Sequence, residues 1–184
     1  MCMLTYNIYR HMHQQNISVQ TILSRFKGKE KQLKYFLAGF ADGESSFSVA
    51  IIKTSMHRSG WMINPCFQVY QHEKHREILE VFQSILKTGR IYRKSGLHPV
   101  LNFSVDSIQN LKEKVISFFD KYPLIVKHET YKTFRAIVMM VDRKEHLHRQ
   151  GFIRIVDMAY TMNQQGKGRK HTKEFILKSL PNDY

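Results

Sequence analysis

Apolar residues recur at helical spacing in some segments of the chain and at alternate positions in others. Helical spacing predicts helices over 31–42 and 74–87, and later over 107–120, 128–144, 149–164 and 172–179. Alternation predicts four strands near 46–52, 66–70, 90–94 and 101–105, with turns at 57–60 and 95–96. The order α-β-β-α-β-β-α, followed by further helices, predicts an α+β fold with one antiparallel sheet.

The predicted strands present two faces of different chemistry. We expect the apolar face to be the core; it consists of Phe47, Val49, Ile51, Phe67, Val69, Ile91, Leu101, Phe103 and Val105. The opposite face combines amide, hydroxyl and cationic groups without a carboxylate; it consists of Ser46, Ser48, Gln68, Tyr70, Arg90, Tyr92, Lys94, Asn102 and Ser104. Solvation alone would explain a polar face. A surface rich in donors is also what strands need to contact base edges and phosphates, and we favour that interpretation.

Charge and cysteine content narrow the class of protein. The 184 residues contain 29 Lys and Arg against 15 Asp and Glu, a formal charge of +14, which favours a polyanionic partner such as nucleic acid. Cys2 and Cys66 stand far apart, so neither a disulfide framework nor a cysteine-based zinc site is supported, as expected for an intracellular, reducing compartment. No apolar run reaches the roughly 18 residues of a membrane helix, and no membrane partner is expected.

The chain divides into a basic N-terminal segment, residues 1–30, and one predicted domain, residues 31–184. The first 29 residues contain no acid. A transit peptide, an arm lying on DNA and a poorly ordered leader all fit this composition, and the sequence leaves the three open.

Residues 36–44, Phe-Leu-Ala-Gly-Phe-Ala-Asp-Gly-Glu, carry the most specific signal. Gly39 and Gly43 lie four residues apart on one helix face, which allows another backbone to approach closely. We expect Gly43 to end the helix, so that Glu44 lies beside carbonyl oxygens without partners. A carboxylate beside free carbonyls suits a hard divalent cation.

This stretch resembles the signature of the LAGLIDADG homing endonucleases, and the similarity continues along the chain. Residues 66–72 resemble the family's second strand, 87–91 and 94–96 its third strand and turn, and 118–124 the end of its second helix and the following loop. The matches cover roughly residues 33–180, and the last helices are similar to the intron-encoded branch with one motif.

The resemblance implies a saddle-like sheet and a homodimer, because members with one motif pair through it. Ala38, Gly39 and Gly43 are then the expected dimer interface. The resemblance also implies double-strand cleavage of DNA at a long pseudo-palindromic site, leaving 3′ overhangs, and an organellar location.

The resemblance further assigns site residues. Glu44 is the expected ligand of Mg²⁺ (with Mn²⁺ or Ca²⁺ as alternatives at the same site), with the Gly43 carbonyl as a second ligand, and Asp42 has a structural hydrogen-bonding role. Gln71 matches the glutamine that positions solvent. The family's catalytic lysine aligns with His128, but Lys127 is adjacent, so we name Lys127 first and His128 second.

Two other functions are compatible with the same fold. A maturase would bind its intron RNA without cutting, and a DNA-binding regulator would recognise duplex DNA alone. Cleavage requires the carboxylate and binding does not, so the presence of Glu44 favours the nuclease.

Overall fold

The computed structural model describes residues 18–94, 96, 99–162 and 169–181. Its helices are α1 (Val19–Arg25), α2 (Glu30–Glu44), α3 (Arg76–Leu86), α4 (Ile108–Asn110), α5 (Ser117–Lys121), α6 (His128–Asp142), α7 (Arg149–Thr161) and α8 (Lys173–Lys178). A π-helical stretch, Leu111–Ile116, joins α4 to α5, and short 3-10 turns cover Glu73–His75 and Glu145–Leu147. The strands are β1 (Ser45–Lys53), β2 (Trp61–His72), β3 (Arg90–Arg93) and β4 (Val100–Val105). The predicted α+β fold and element order are confirmed.

The four strands form one sheet in the order β1-β2-β4-β3, and every pairing is antiparallel. The β1–β2 hairpin turns through residues 57–60, where Gly60 adopts a positive φ of 76° that favours glycine. Its register pairs Ser45 with Val69 and Ser46 with Gln68. The apolar and polar faces predicted from alternation are therefore the two faces of the sheet.

The core lies between the apolar face of the sheet and the helices. Phe47 illustrates its density, because its ring contacts Phe67 and Phe119 at centroid distances of 5.0 and 5.5 Å. On α2 the buried positions are Leu33, Leu37, Ala38 and Ala41, one stripe of an amphipathic helix. This packing fixes the direction from which α2 enters β1.

The end of α2 differs from the prediction. The helix continues through Gly43 to Glu44, and the backbone N–H of Ser45 closes it on the carbonyl of Ala41. The hydroxyl of Ser45 donates to the same carbonyl. The expectation that Gly43 ends the helix is wrong because Ser45 supplies the closing hydrogen bonds, so no left-handed glycine is needed.

Part of the basic N-terminal segment is helical. Ser18 caps α1 by accepting a hydrogen bond from the Thr21 N–H at 3.2 Å. Val19, Ile22, Leu23 and Phe26 pack against the core. Residues 1–17, and with them most of the predicted leader, lie outside the described residues.

The last helix packs against the far end of the sheet. The indole N–H of Trp61 donates to the Ser179 hydroxyl at 3.0 Å, and its ring meets Phe175 edge-on. Trp61 itself is 3% exposed. Within the residues described, no helix has the length and hydropathy needed to span a bilayer.

Candidate active site and nucleic-acid interface

Asp42 holds the loop that leads into α6. Its Oδ2 accepts the backbone N–H groups of Ile125 and Val126, both at 2.8 Å, and its Oδ1 accepts that of Lys127 at 2.7 Å. Burial alone would raise the pKa of Asp42, but these three donors outweigh it and hold the pKa below its ordinary value. This geometry agrees with the structural hydrogen-bonding role expected for Asp42.

Lys127 binds the C-terminal end of α2. Its ammonium donates to the carbonyls of Ala41, Gly43 and Ser45 at 3.2, 3.0 and 2.7 Å. A cation is favoured there because unpaired carbonyls concentrate negative potential at a helix C-terminus. Burial lowers the pKa of Lys127, while the charges of Asp42 and Glu44 oppose that change. All three ammonium protons are thus engaged by carbonyl oxygens.

Glu44 is the last residue of α2 and is exposed. Within the described part of the chain its carboxylate makes no hydrogen bond or salt bridge, unlike that of Asp42 one half-turn earlier. No group of three or more metal-ligating side chains surrounds it among those residues. One chain therefore contributes a single free carboxylate at this position.

The donor set around Glu44 fits a hard divalent cation in part. The free carboxylate is a suitable oxygen ligand. The Gly43 carbonyl already accepts the Lys127 ammonium at 3.0 Å, and this positive charge would oppose a cation at its remaining lone pair. Glu44 is the better of the two predicted ligands.

Gln71 and His128 both follow α2 in the chain, and each belongs to a segment that adjoins the end of that helix. Gln71 is two residues beyond Val69, the pairing partner of Ser45, and its Oε1 accepts the His72 N–H at 2.7 Å. His128 begins α6, directly after Lys127, and its side chain is 49% exposed. The fold thus places the segments of all four predicted catalytic residues around the junction of α2 and β1.

The helix face expected to pair with a second copy is exposed. Gly39 and Gly43 are exposed, and a Cβ built on either meets no atom within 4 Å. Phe36, three residues before Gly39, is 54% exposed. Ala38 is the exception, because it is 2% exposed and faces the core of its own chain. The prediction that Ala38 lies on the interface surface is wrong: its helical position is on the buried stripe with Leu37 and Ala41.

The polar face of the sheet carries the nine residues predicted to contact DNA, but two of them are covered. Ser46, Ser48, Gln68 and Tyr70 are partly exposed, and Arg90, Tyr92 and Lys94 are exposed. Asn102 and Ser104 are each 2% exposed. The expectation that they contribute directly to an accessible surface is wrong, since β4 is flanked by β2 and β3, whose long side chains reach across it.

Sequence reasoning missed two features of this region. Asp106, just beyond β4, binds the Arg90 guanidinium through two hydrogen bonds of 3.1 and 2.6 Å. The backbone of Ile125 and Val126 engages Asp42 while both side chains remain exposed. The contact between Arg90 and Asp106 could have been predicted from strand pairing. Arg90 pairs with Ser104, and Asp106 lies two residues further along, at the end of the same pair of strands.

Comparisons with known proteins are consistent with this site. Residues 37–138 match the family model described as LAGLIDADG endonuclease. The homing endonuclease I-ApeII of Aeropyrum pernix is 30% identical over 155 residues, which cover 82% of this chain and 92% of that protein. The DNA endonuclease I-CeuI of Chlamydomonas moewusii is 33% identical over 117 residues, 61% of this chain; the match spans about half of that protein, 54%.

A solved structure extends the likeness to the fold. The archaeal intron-encoded homing endonuclease I-Vdi141I, complexed with DNA, superposes with a TM-score of 0.76 at 32% identity, covering 82% of this chain and 96% of that one. The family model matches more than half of the residues and includes the C-terminal half of α2, the sheet and most of α6. The chain belongs to the LAGLIDADG endonuclease family.

Proposed function

We propose that this protein is a homing endonuclease that cuts double-stranded DNA at a specific site as a homodimer with a divalent metal ion. Its similarity to I-Vdi141I, a structure that contains DNA, supports the choice of partner. So does the net charge of +14, because a polyanion is attracted to a strongly basic chain.

One observation carries the proposal: two acids in the last turn of α2 have different surroundings. Asp42 accepts three backbone N–H groups, whereas Glu44 is exposed and has no protein partner in the described structure. A binding protein has no need of a free carboxylate facing a polyanion, because it repels phosphate. A nuclease needs one to hold a cation.

Glu44 is the residue that would hold Mg²⁺, and Mn²⁺ or Ca²⁺ would suit the same oxygen ligands. When bound, such an ion supplies an activated water and neutralises charge at the scissile phosphate. Side chains of the protein would perform the remaining roles. Lys127 keeps the end of α2 in place and adds positive charge beside Glu44. Gln71 and exposed His128 are the polar groups available to orient water or contact a phosphate.

The exposed face of α2 supports the homodimer. Gly39 and Gly43 leave room for a second backbone, and Phe36 adds an apolar contact beside them. Two copies of α2 packed there bring two Glu44 carboxylates together, which supplies what one chain lacks. A two-fold dimer expects a roughly two-fold target, hence a pseudo-palindromic site. Cleavage that leaves 3′ overhangs, an intron location of the gene and an organellar compartment complete the proposal.

The experiment that tests it is metal-dependent cleavage of a library of partially palindromic duplexes, with sequenced ends. Wild type is compared with Glu44→Gln, which removes the charge and keeps the shape. Glu174→Gln is the matched control, because Glu174 is an exposed carboxylate on α8, away from the end of α2. We expect wild type and Glu174→Gln to cut in Mg²⁺ and not in EDTA, and Glu44→Gln to bind duplex DNA without cutting.

Equal cutting by Glu44→Gln would remove Glu44 from the reaction. Tight binding to structured intron RNA without cutting of any duplex would replace the proposal with the maturase function. Blunt ends or 5′ overhangs would contradict the expected product while leaving the nuclease in place.

A further inference from the structure

A groove with a volume of about 670 Å³ runs along the outer edge of β1. Residues 48–53 of β1, an edge strand of the sheet, form one of its walls. The other wall consists of Tyr160, at the end of α7, and of residues 169–171, which precede α8. We call this feature the β1-edge groove. None of the catalytic residues named above lines it.

The β1-edge groove lies beside the polar face of the sheet. Ser46 and Ser48 belong to that face, and the alternation of a strand places Ala50 and Ile52 on it as well. The burial of β1 agrees, because Ala50 and Ile52 are exposed whereas Val49, on the other face, is only 5% exposed. A duplex that contacts the polar face would therefore pass the mouth of the groove.

The charge of the groove is of one sign. Its described lining contains no carboxylate, and its basic side chains are Lys53, Arg169, Lys170 and His171. Lys53 and Lys170 are both exposed, and in the described structure neither ammonium forms a salt bridge or a hydrogen bond. The ammonium of Lys53 lies 5.7 Å from the centroid of the Phe175 ring, which leaves its three protons available. Two cations without acidic partners favour a phosphate as the occupant.

Lys170 lies between two residues that are attached to the last turn of α7. The Arg169 guanidinium lies 4.1 Å from the centroid of the Tyr160 ring, and it donates a hydrogen bond to the Ala159 carbonyl. The Tyr160 hydroxyl donates to the backbone carbonyl of His171 at 2.6 Å. The backbone on both sides of Lys170 is therefore held, while its ammonium remains free to bind a ligand.

The ring of His171 is also engaged by the protein. It stacks on Phe175 at a centroid distance of 5.2 Å and meets Trp61 edge-on at 5.1 Å. The guanidinium of Arg169 is likewise occupied, as described above. The two lysines are thus the basic groups of the groove that are left for a ligand.

We propose that the β1-edge groove holds part of the sugar–phosphate backbone of the bound DNA, with Lys53 and Lys170 contacting phosphates and Tyr160 positioning Lys170. This inference rests on the proposed function, because it takes duplex DNA as the partner. Contacts to phosphate fix the register of a duplex without reading its sequence. The groove therefore supplies affinity and orientation, and the polar face of the sheet supplies base recognition.

Neutral phosphates provide the test. The parent is the full-length Glu44→Gln protein, bound to the duplex that it selects from a random library. Each phosphate of that duplex is replaced in turn by an uncharged methylphosphonate, and binding is measured for the parent, Lys53→Gln and Lys170→Gln. Lys114→Gln is the matched control, because Lys114 is exposed and belongs to the helical stretch that packs on the apolar side of the sheet. Thermal denaturation is recorded for each protein.

In the parent, a methylphosphonate at the phosphate that Lys170 contacts should weaken binding roughly tenfold, the size expected for one hydrogen bond to a charged group. Lys170→Gln should remove most of this penalty at that phosphate alone, and Lys170→Arg should restore it. Lys170→Gln and Lys53→Gln should each lower the slope of log affinity against log salt concentration by about 0.9, the value for one phosphate contact. Lys114→Gln should leave the penalties and the slope unchanged.

Tyr160→Phe tests the positioning role without changing the charge. It keeps the ring beneath Arg169 and removes only the hydroxyl that holds the His171 carbonyl. We expect a smaller methylphosphonate penalty at the Lys170 phosphate, and no further loss of affinity when Tyr160→Phe is added to Lys170→Gln. Equal weakening at every phosphate would assign Tyr160 a purely structural role and overturn its part of the proposal.

The outcomes separate this inference from the proposed function. Duplex binding by the parent, with the same methylphosphonate penalties in Lys53→Gln and Lys170→Gln as in the parent, overturns the inference alone. Absence of duplex binding by the parent overturns the proposed function and the inference together. If Tyr160→Phe fails to fold, Lys170→Gln decides, because it changes an exposed side chain that no other group of the described structure binds.

Discussion

The side chains of Asp42 and Lys127 each form hydrogen bonds with the backbone of the segment that contains the other residue. The Asp42 carboxylate accepts the Lys127 backbone N–H at 2.7 Å, and the Lys127 ammonium donates to the carbonyls on either side of Asp42, those of Ala41 and Gly43. The end of α2 and the start of α6 are thus joined in both directions. Glu44 lies within this junction, so its position depends on a pair of residues 85 positions apart.

Removal of the Lys127 ammonium should destabilise the protein. Lys127→Met keeps the length of the side chain but removes the ammonium from three carbonyls, of which only that of Ala41 keeps the hydrogen bonds from Ser45 described above. We expect the free energy of unfolding, measured by urea denaturation, to fall by about 1–3 kcal/mol. His128→Gln, an exposed neighbour, should change it by less than about 0.5 kcal/mol. Equal effects of the two variants would contradict the role of Lys127 at the helix end.

Because of the Asp42 carboxylate, the free energy of unfolding should depend on pH in the acid range. Its pKa in the folded protein lies below the ordinary value of 3.8, so the ionised form is the one that folding favours. The stabilisation is complete above the ordinary pKa and is lost as the pH falls through the lowered one. Asp42→Asn should lower the free energy of unfolding by about 2 kcal/mol at pH 7. The difference from wild type should shrink as the pH falls below about 4.

The measurement is urea denaturation of both proteins from pH 7 down to pH 3. Glu129→Gln, at an exposed position, serves as the control for removing a negative charge. A difference between wild type and Asp42→Asn that is constant across this range would show that the carboxylate charge is not what the three N–H groups bind.

A large side chain at position 39 should prevent dimer formation without destabilising the fold of the protomer. A Cβ there meets no atom within 4 Å of the same chain, so Gly39→Leu has space within one protomer and raises helix propensity. Between two packed helices the leucine would clash. We expect Gly39→Leu to be monomeric by analytical ultracentrifugation, with unfolding no easier than in wild type.

Lys132→Leu is the control for adding an exposed leucine, since Lys132 lies on α6 with its side chain 57% exposed. A stable dimer of Gly39→Leu would exclude this helix face from the interface.

Two glycines with positive φ should respond differently to alanine. At Gly89, with φ of 92°, a Cβ would lie 2.3 Å from a ring atom of Phe103. At Gly60, with φ of 76°, nothing lies within 4 Å. Gly60→Ala should cost about 1–2 kcal/mol of unfolding free energy from backbone strain alone. Gly89→Ala should cost clearly more, because the buried Phe103 ring must also move. Similar losses in thermal denaturation would contradict the close approach.

The sequence predicted the elements well because each one carries its own periodicity. The alternation through Phe47 and Val49 depends on strand geometry, and the stripe through Leu33 and Leu37 on helix geometry; both are local. Element order then restricts the topology to few choices. The signature of residues 36–44 located Glu44 and Asp42. Their difference is visible only in the structure, where Asp42 accepts three backbone hydrogen bonds and Glu44 has no hydrogen-bond partner among the described residues.

What the sequence did not predict depends on neighbours distant in the chain. Alternation places Asn102 on the polar face correctly, but its burial comes from Tyr70 and Tyr92 on two other strands. The pairing of Arg90 with Asp106 likewise arises from side chains that meet around a strand end. Ala38 was misplaced for a simpler reason: adjacent residues on a helix point about 100° apart, so of the three residues predicted for the interface only Gly39 and Gly43 share the open face.

The packing of Trp61 has a practical consequence. It is the one tryptophan of the chain, it is buried, and its indole is bonded to Ser179 just after α8. Its fluorescence is therefore a built-in reporter of whether the last helix is docked on the sheet. Detachment of α8 would expose the indole and shift its emission to the red, while far-ultraviolet circular dichroism would scarcely change, so local opening at this end can be followed separately from global unfolding.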